Sequence, residues 1–350
     1  MRIVFVSWRD LAHAQAGGSE VVVDHLASGL QARGHSVTLL SGGPVEQRDY
    51  PVVATGGTYS QYVRAPLAYR RHFRGADVVV DVENGIPFFA PIWQRAPVVC
   101  LVHHIHTAQW AMQFSKPMAR IGRWLESGAM PRVYRRAWFA AVSESTRAGL
   151  VDLGIDEHRI RTVEMGCTPV PTQGPKSPTP RFLVVGRLVP HKRVELALRM
   201  WEQVRPSTGG ELVIVGDGPE HERLQALAGP DVEFTGHLTL EAKGNELGRA
   251  WVLIHPAHHE GWGTVVMEAA AAGVPTVAFD VPGVRDSIVG GVTGILAPDE
   301  QAFVDAWISL TRDTDVRQQM SAAGQQRAAT FTWERAVDEF EALLREACGS

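Results

Sequence analysis

Short apolar runs alternate with amphipathic stretches along most of this chain. Residues 2–7 form an apolar run after Arg2. A helical pattern follows, with Val22, Leu26 and Leu30 on one face and Gly34 at its stop. Further apolar runs stand at 36–40, 77–82, 97–102 and 138–143. They are rich in Val, Ala and Leu and lack polar alternation, which predicts strands covered on both faces. After a proline-dense stretch the pattern restarts. Runs at 181–186 and 211–216 each end in Gly and lead to a helix, and others follow at 232–235, 251–255 and 274–279. The end of the chain predicts three helices, near 300–312, 315–329 and 333–347. Strand and helix in alternation predict an α/β protein with parallel sheets.

Residues 169–180 hold five prolines, which suits neither a helix nor a central strand, so a linker is expected there. The expected domains are 1–168 and 181–332, a two-domain plan that 350 residues accommodate. Two such domains leave a cleft, and open parallel sheets bind ligands beyond the carboxyl ends of their strands.

Composition narrows the classes. Apolar residues at 45% and charged residues at 21% exclude disordered and fibrous chains. No apolar run approaches the roughly 18 residues of a membrane-spanning helix, and the run after Arg2 is too short for a signal-peptide core. Cys100, Cys167 and Cys348 are widely spaced, so a cytoplasmic location without disulfides is expected. The net charge of −4 is uneven: 18 Lys and Arg face 14 Asp and Glu up to residue 172, and 16 face 24 after it. A basic first half suits an anionic partner, or nothing beyond a common imbalance. No nucleic-acid motif is present. Only four of the basic residues are Lys: 116, 176, 192 and 243.

The most specific segment runs from His255 to Gly273. A strand ends at Ile254–His255, a Gly261-Trp262-Gly263 turn follows, and a helix is predicted from Thr264. Free amides around Gly263, Thr264 and Val265 make an anion site at that helix start. Glu260 lies in the turn before it and Glu268 one turn into it. A phosphate at the helix start with a carboxylate beyond it fits a nucleotide whose ribose hydroxyls reach Glu268. The plain alternative is a Glu near a positive helix end. Arg187 and Lys192, just after the strand at 181–186, are placed to neutralise a diphosphate, or are two solvated cations. Gly17 and Gly18 allow close backbone approach to a phosphate, or form a simple tight turn.

His103, His104 and His106 follow the strand at 97–102, with His255, His258 and His259 further on. Adjacent His103 and His104 point opposite ways on an extended chain, which disfavours shared metal ligation. His103 donating to a sugar hydroxyl or phosphate is the simpler role. Asp313-Thr314-Asp315 follows no strand and fits a helix N-cap better than a metal site. Lys116, Arg120, Arg123, Arg132, Arg135 and Arg136 surround Trp110, Phe114, Trp124, Leu125 and Tyr134, with Glu126 the one acid. Such a stretch suits an anionic lipid surface, or a solvated helix face.

Together these segments resemble retaining glycosyltransferases of the GT-B fold, specifically glycosyltransferase family 4. The likeness runs over nearly the whole chain, through Gly17-Gly18, residues 185–192, 215–220 and 234–238, the Glu260…Glu268 block, residues 273–279 and Phe331–Trp333. It implies two Rossmann-like domains facing across a cleft, with residues 333–350 crossing back to the first. It also implies roles. Glu268 would hold the ribose, Arg187 and Lys192 the diphosphate, aided by Gly17, Gly18 and the amides near Thr264. Glu260 would meet the donor sugar, Gly236, His237 and Leu238 would line the base pocket, and His103 would be the catalytic-site histidine. The implied reaction moves a hexosyl group from a UDP- or GDP-sugar to an acceptor hydroxyl of a glycan, glycolipid or envelope precursor. It needs no metal and no resident cofactor, the nucleotide sugar being a co-substrate. The location implied is cytoplasmic, with peripheral contact on the inner face of a membrane. A sugar-nucleotide 2-epimerase of the same fold is the alternative; it would turn over a nucleotide sugar with no acceptor.

Overall fold

The computed structural model describes residues 1–14, 16–57, 59–107 and 109–349, apart from the side chains of Met112 and Gln113. The chain forms two compact units. One is Met1–Gly166 with Thr332–Ser350, and the other is Cys167–Phe331.

The first unit is built on β1 (Arg2–Ser7), β2 (Ser36–Gly42), β3 (Val52–Gly56), β4 (Val78–Glu83), β5 (Val98–Val102), β6 (Trp138–Ala141) and β7 (Ile160–Thr162). All pairings are parallel, in the order β3-β2-β1-β4-β5-β6-β7. Every residue of β4 and β5 is buried, as continuous apolar strands with both faces covered require. The last helix, Trp333–Cys348, belongs to this unit, as the resemblance implied. Thr332 caps it by accepting the Arg335 N–H at 3.2 Å. Phe340 packs on Phe5 with ring centroids 6.1 Å apart, and Trp333 stacks on His25 at 4.0 Å.

The second unit holds β8 (Arg181–Val185), β9 (Glu211–Val215), β10 (Val232–Gly236), β11 (Val252–His255), β12 (Thr276–Phe279) and β13 (Gly294–Ala297). They are parallel, ordered β10-β9-β8-β11-β12-β13. Its core centres on fully buried Phe182, Trp201 and Trp307, the two indoles stacked at 5.7 Å and Phe182 set edge-on to both. Such aromatic contacts add roughly 0.5–1.5 kcal/mol each beyond their buried area. At the carboxyl ends of β8 and β9 the backbone is crowded: a Cβ on Gly216 (φ +131°) would sit 2.0 Å from the Gly186 carbonyl oxygen. Only glycine fits there.

The proline-dense stretch is not a free tether. Val170 is buried in the second unit's core. The Ser177 N–H donates to the Arg249 carbonyl at 2.9 Å, and the Trp251 indole N–H donates to the Ser177 carbonyl at 2.8 Å. The proline-rich backbone lies close against the helix Leu240–Arg249, where a Cβ on Gly244 would meet the Pro171 carbonyl oxygen at 2.0 Å. No helix among the described residues is long and apolar enough to cross a membrane.

Candidate active site

In the second unit the loop after β11 carries Glu260, and the helix Thr264–Ala271 starts just beyond it, capped by Gly263. The Thr264 and Val265 amides precede the first intrahelical bond, which runs from the Val266 N–H to the Gly263 carbonyl at 2.9 Å. A Cβ on Gly283 (φ +81°) would meet the Glu260 carbonyl oxygen at 2.1 Å, so glycine there lets the next loop brace the turn.

Glu260 sits between a lysine and a histidine. Lys192, from the short turn Pro190–Lys192 after β8, donates to Glu260 Oε1. His255 Nε2 lies 3.1 Å from the same oxygen. Burial pushes the Glu260 carboxyl up, but the Lys192 ammonium and the His255 ring outweigh it and hold the group well below the usual carboxylate range. His191 is pushed down to about 4, by burial first and then by the Lys192 charge. Arg187 is exposed at the mouth of β8.

Glu268 is not open as the sequence suggests. Lys243, on the helix Leu240–Arg249, donates to both of its oxygens, at 2.7 and 2.8 Å. Gly236 ends β10, with His237 exposed and Leu238 packed on the core beside it.

In the first unit Gly17 caps the helix Gly18–Ala32, and its N–H donates to Glu20 Oε2 at 2.7 Å. That amide is therefore engaged inside the unit rather than left open for a phosphate. Glu20 is itself buried against Arg9, 2.8 Å away. His103 follows β5. Its ring is buried, and Nε2 has no hydrogen-bond partner among the described residues. Burial pushes its pKa down to about 4, partly offset by the Glu20 charge, so the ring is neutral at pH 7. The His104 ring lies 3.7 Å from that of His106.

Asp313 caps the helix Thr314–Ala329, accepting the Val316 N–H at 2.9 Å. A cavity of about 800 Å³ opens beside it, lined by Ser207, Arg312 and Asp315 among others, but by none of the predicted site residues. That cavity and the predicted site residues are in different places.

The family model for glycosyltransferase family 4 matches residues 16–169, and that for glycosyl transferases group 1 matches residues 171–327. This chain belongs to glycosyltransferase family 4. The family chain is 33% identical over 228 residues to a GDP-mannose-dependent alpha-mannosyltransferase of Mycolicibacterium smegmatis, covering 63% of itself and 54% of that relative. It spans about half the length of the curated relatives it matches first. Its fold is that of sucrose-phosphate synthase from Thermosynechococcus elongatus, with a TM-score of 0.84, 19% identity and 99% of each chain covered. HepE of Anabaena, solved in complex with UDP-glucose, gives a TM-score of 0.80 at 17% identity, over 99% of this chain and 100% of that one. These are GT-B folds.

Three site features of this family 4 chain escaped the sequence reading. Lys243 was legible as one of four lysines but had no assigned partner. Gly283 carried no signal until the loops were seen to touch. Exposed Met118 and Ile121 line up with exposed Trp124 on the helix Lys116–Trp124, a three-residue spacing that the sequence did offer. The same helical region also corrects an expectation: Trp110, Tyr134 and Glu126 are buried, so only part of the basic, aromatic stretch faces solvent.

Proposed function

We propose that this chain is a retaining hexosyltransferase that draws on a nucleotide-diphosphate sugar without a catalytic metal. One observation carries the reading: Lys192, Glu260 and His255 meet beside the free amides of the helix Thr264–Ala271, with Arg187 on the same strand end. A donor diphosphate would take Lys192, Arg187 and those amides as its partners. As the bond from the anomeric carbon to the diphosphate oxygen breaks, negative charge grows on the leaving phosphate, and these groups stabilise it. The acceptor hydroxyl attacks from the same face and gives its proton to that phosphate. No side chain is assigned as a covalent nucleophile. Glu268 would bond the ribose hydroxyls after Lys243 shifts, and Glu260 the donor sugar. Gly236, His237 and Leu238 would border the base, and the neutral His103 ring suits a bond to a sugar hydroxyl. The donor is a GDP- or UDP-sugar, supported by the mannosyltransferase likeness and the UDP-glucose complex of the structural neighbour.

The acceptor, or its carrier, is anionic or membrane-bound on this reading. Met118, Ile121 and Trp124 are each more than half exposed, on a helix that also carries Lys116, Arg120 and Arg123. Apolar side chains flanked by cations fit an anionic bilayer surface at the inner face of a membrane.

Thermal melting against GDP, UDP, ADP and their sugars tests the donor. A true ligand at 100 times its dissociation constant adds about 2.7 kcal/mol, so GDP or UDP should raise the melting temperature and ADP should not. Turnover should need an acceptor and be unchanged by added Mg²⁺ or Mn²⁺. No response to any nucleotide, or conversion of a nucleotide sugar alone, overturns the reading.

A further inference from the structure

We infer that Glu83, His106 and Glu126 form a binding site for a divalent cation of the Zn²⁺ or Mn²⁺ type inside the first unit. Glu83 is the last residue of β4, His106 lies in the loop after β5, and Glu126 sits in the π-helical turn Leu125–Ala129. Such turns recur at functional sites because the extra residue redirects a side chain. One ligand atom from each residue lies within 4.8 Å of the other two. His106 Nδ1 is 3.8 Å from Glu126 Oε1 and 4.0 Å from Glu83 Oε1. A tetrahedral Zn²⁺ holds its ligand atoms about 3.4 Å apart, so the cluster would tighten by roughly half an ångström around an ion.

Both carboxylates are fully buried. Glu126 Oε1 accepts the His106 backbone N–H, and Oε2 accepts the Trp110 indole N–H at 3.1 Å. Glu83 Oε1 accepts the Gly85 N–H. Glu83 Oε2 is buried with no hydrogen-bond partner. Among the described residues no Lys or Arg pairs with either carboxylate. Asp81, also buried on β4, accepts from the Phe88 and Ala90 amides and from Tyr134, so it brings no positive charge. A buried carboxylate needs a counter-charge or a proton. One divalent ion supplies the charge for both and takes the vacant lone pairs of Glu83 Oε2.

Two carboxylates and an imidazole suit Zn²⁺ or Mn²⁺, whereas Ca²⁺ seeks six to eight oxygens. Trp110 on Glu126 and the His104 ring against His106 would orient the ligands from behind. The ion would tie the end of β4 to the loop after β5 and the turn at Glu126, a structural site separate from the sugar-transfer chemistry.

The test uses the full chain, stripped with a chelator and dialysed against Zn²⁺, Mn²⁺ or Co²⁺. One ion per chain should bind, Co²⁺ should give a visible ligand-field band, and Zn²⁺ should raise the melting temperature. E83Q keeps the shape and removes the charge, and H106A removes the nitrogen; each should weaken binding at least tenfold. D313N, outside the cluster, should bind as the wild type does. A wild-type chain that takes up none of the three ions overturns the site, whether or not the variants fold. So does uptake unchanged in both E83Q and H106A. Neither result bears on glycosyl transfer.

Discussion

Glu260 and Glu268 in the second unit each face a lysine, whereas Glu83 and Glu126 in the first unit face one another. Glu260, Glu83 and Glu126 are all largely withdrawn from water, yet their ionisation differs. Burial is outweighed at Glu260 by Lys192 and His255, which keep it charged. At Glu83 burial and the Glu126 charge push the same way, well above the usual range, and burial pushes Glu126 up to about 7. Depth alone therefore does not decide charge; the partner does. Two of the chain's four lysines are spent on the second-unit carboxylates. The second unit pairs these two acids with lysines, while among the described residues Glu83 and Glu126 in the first have no Lys or Arg partner.

Lys192→Ala breaks this contrast most directly. It would remove the cation proposed for the leaving phosphate and leave Glu260 without its lysine, so transfer should fall by about 100-fold or more with the fold intact by circular dichroism. Near-normal turnover would remove Lys192 from the site.

A smaller effect separates the units by pH. His103 in the first unit and His191 in the second both have folded pKa values near 4, below the unfolded value. Each contributes stability that is full above about pH 6.5 and is lost as pH falls toward 4, because the unfolded chain binds the proton first. His103→Gln should flatten the fall in unfolding free energy between pH 7 and 4.5, by on the order of 2 kcal/mol. An unchanged pH profile would mean that the buried ring is not what disfavours the proton.

Glu268→Gln sharpens the comparison within the second unit. It should weaken nucleoside-diphosphate binding by roughly tenfold, the loss of a charge-assisted hydrogen bond, and leave pyrophosphate binding unchanged, since pyrophosphate has no ribose. Equal losses for both ligands in calorimetry would place Glu268 on the phosphates instead.

The smallest effect lies at the first unit's surface. Arg120→Ser and Arg123→Ser should each reduce co-sedimentation with anionic vesicles by about fivefold, near 1 kcal/mol per cation, and salt should do the same to the wild type. Wild-type protein that ignores anionic vesicles at low salt favours a soluble acceptor.

The interior strands were legible because both of their faces are covered, so each reads as an unbroken apolar run. β3, β7 and β13 were not, and all three lie at sheet edges, where a short strand is covered less and its residues mix polar with apolar. The second-unit site was legible for a related reason. Gly261 to Glu268 is local, and one turn plus one helix start fixes where its groups stand relative to the backbone.

The sequence by itself determined the alternating α/β plan, the family and the identity of the charged groups beside the second unit's strand ends, since these follow from periodicity and short motifs. Only the tertiary structure decided which charge meets which. Lys243 reaches Glu268 because the helix Leu240–Arg249 lies beside the helix Thr264–Ala271, and Gly17 gives its amide to Glu20 because a helix start closes on itself. Glu83, His106 and Glu126 come from three separate segments, and nothing in their spacing draws them together. Their meeting depends on strand order, since β4 and β5 are neighbours and the loop after β5 folds onto the turn at Glu126. Pairing across a fold is set by packing at distances of a few ångströms, which periodicity along a chain does not encode.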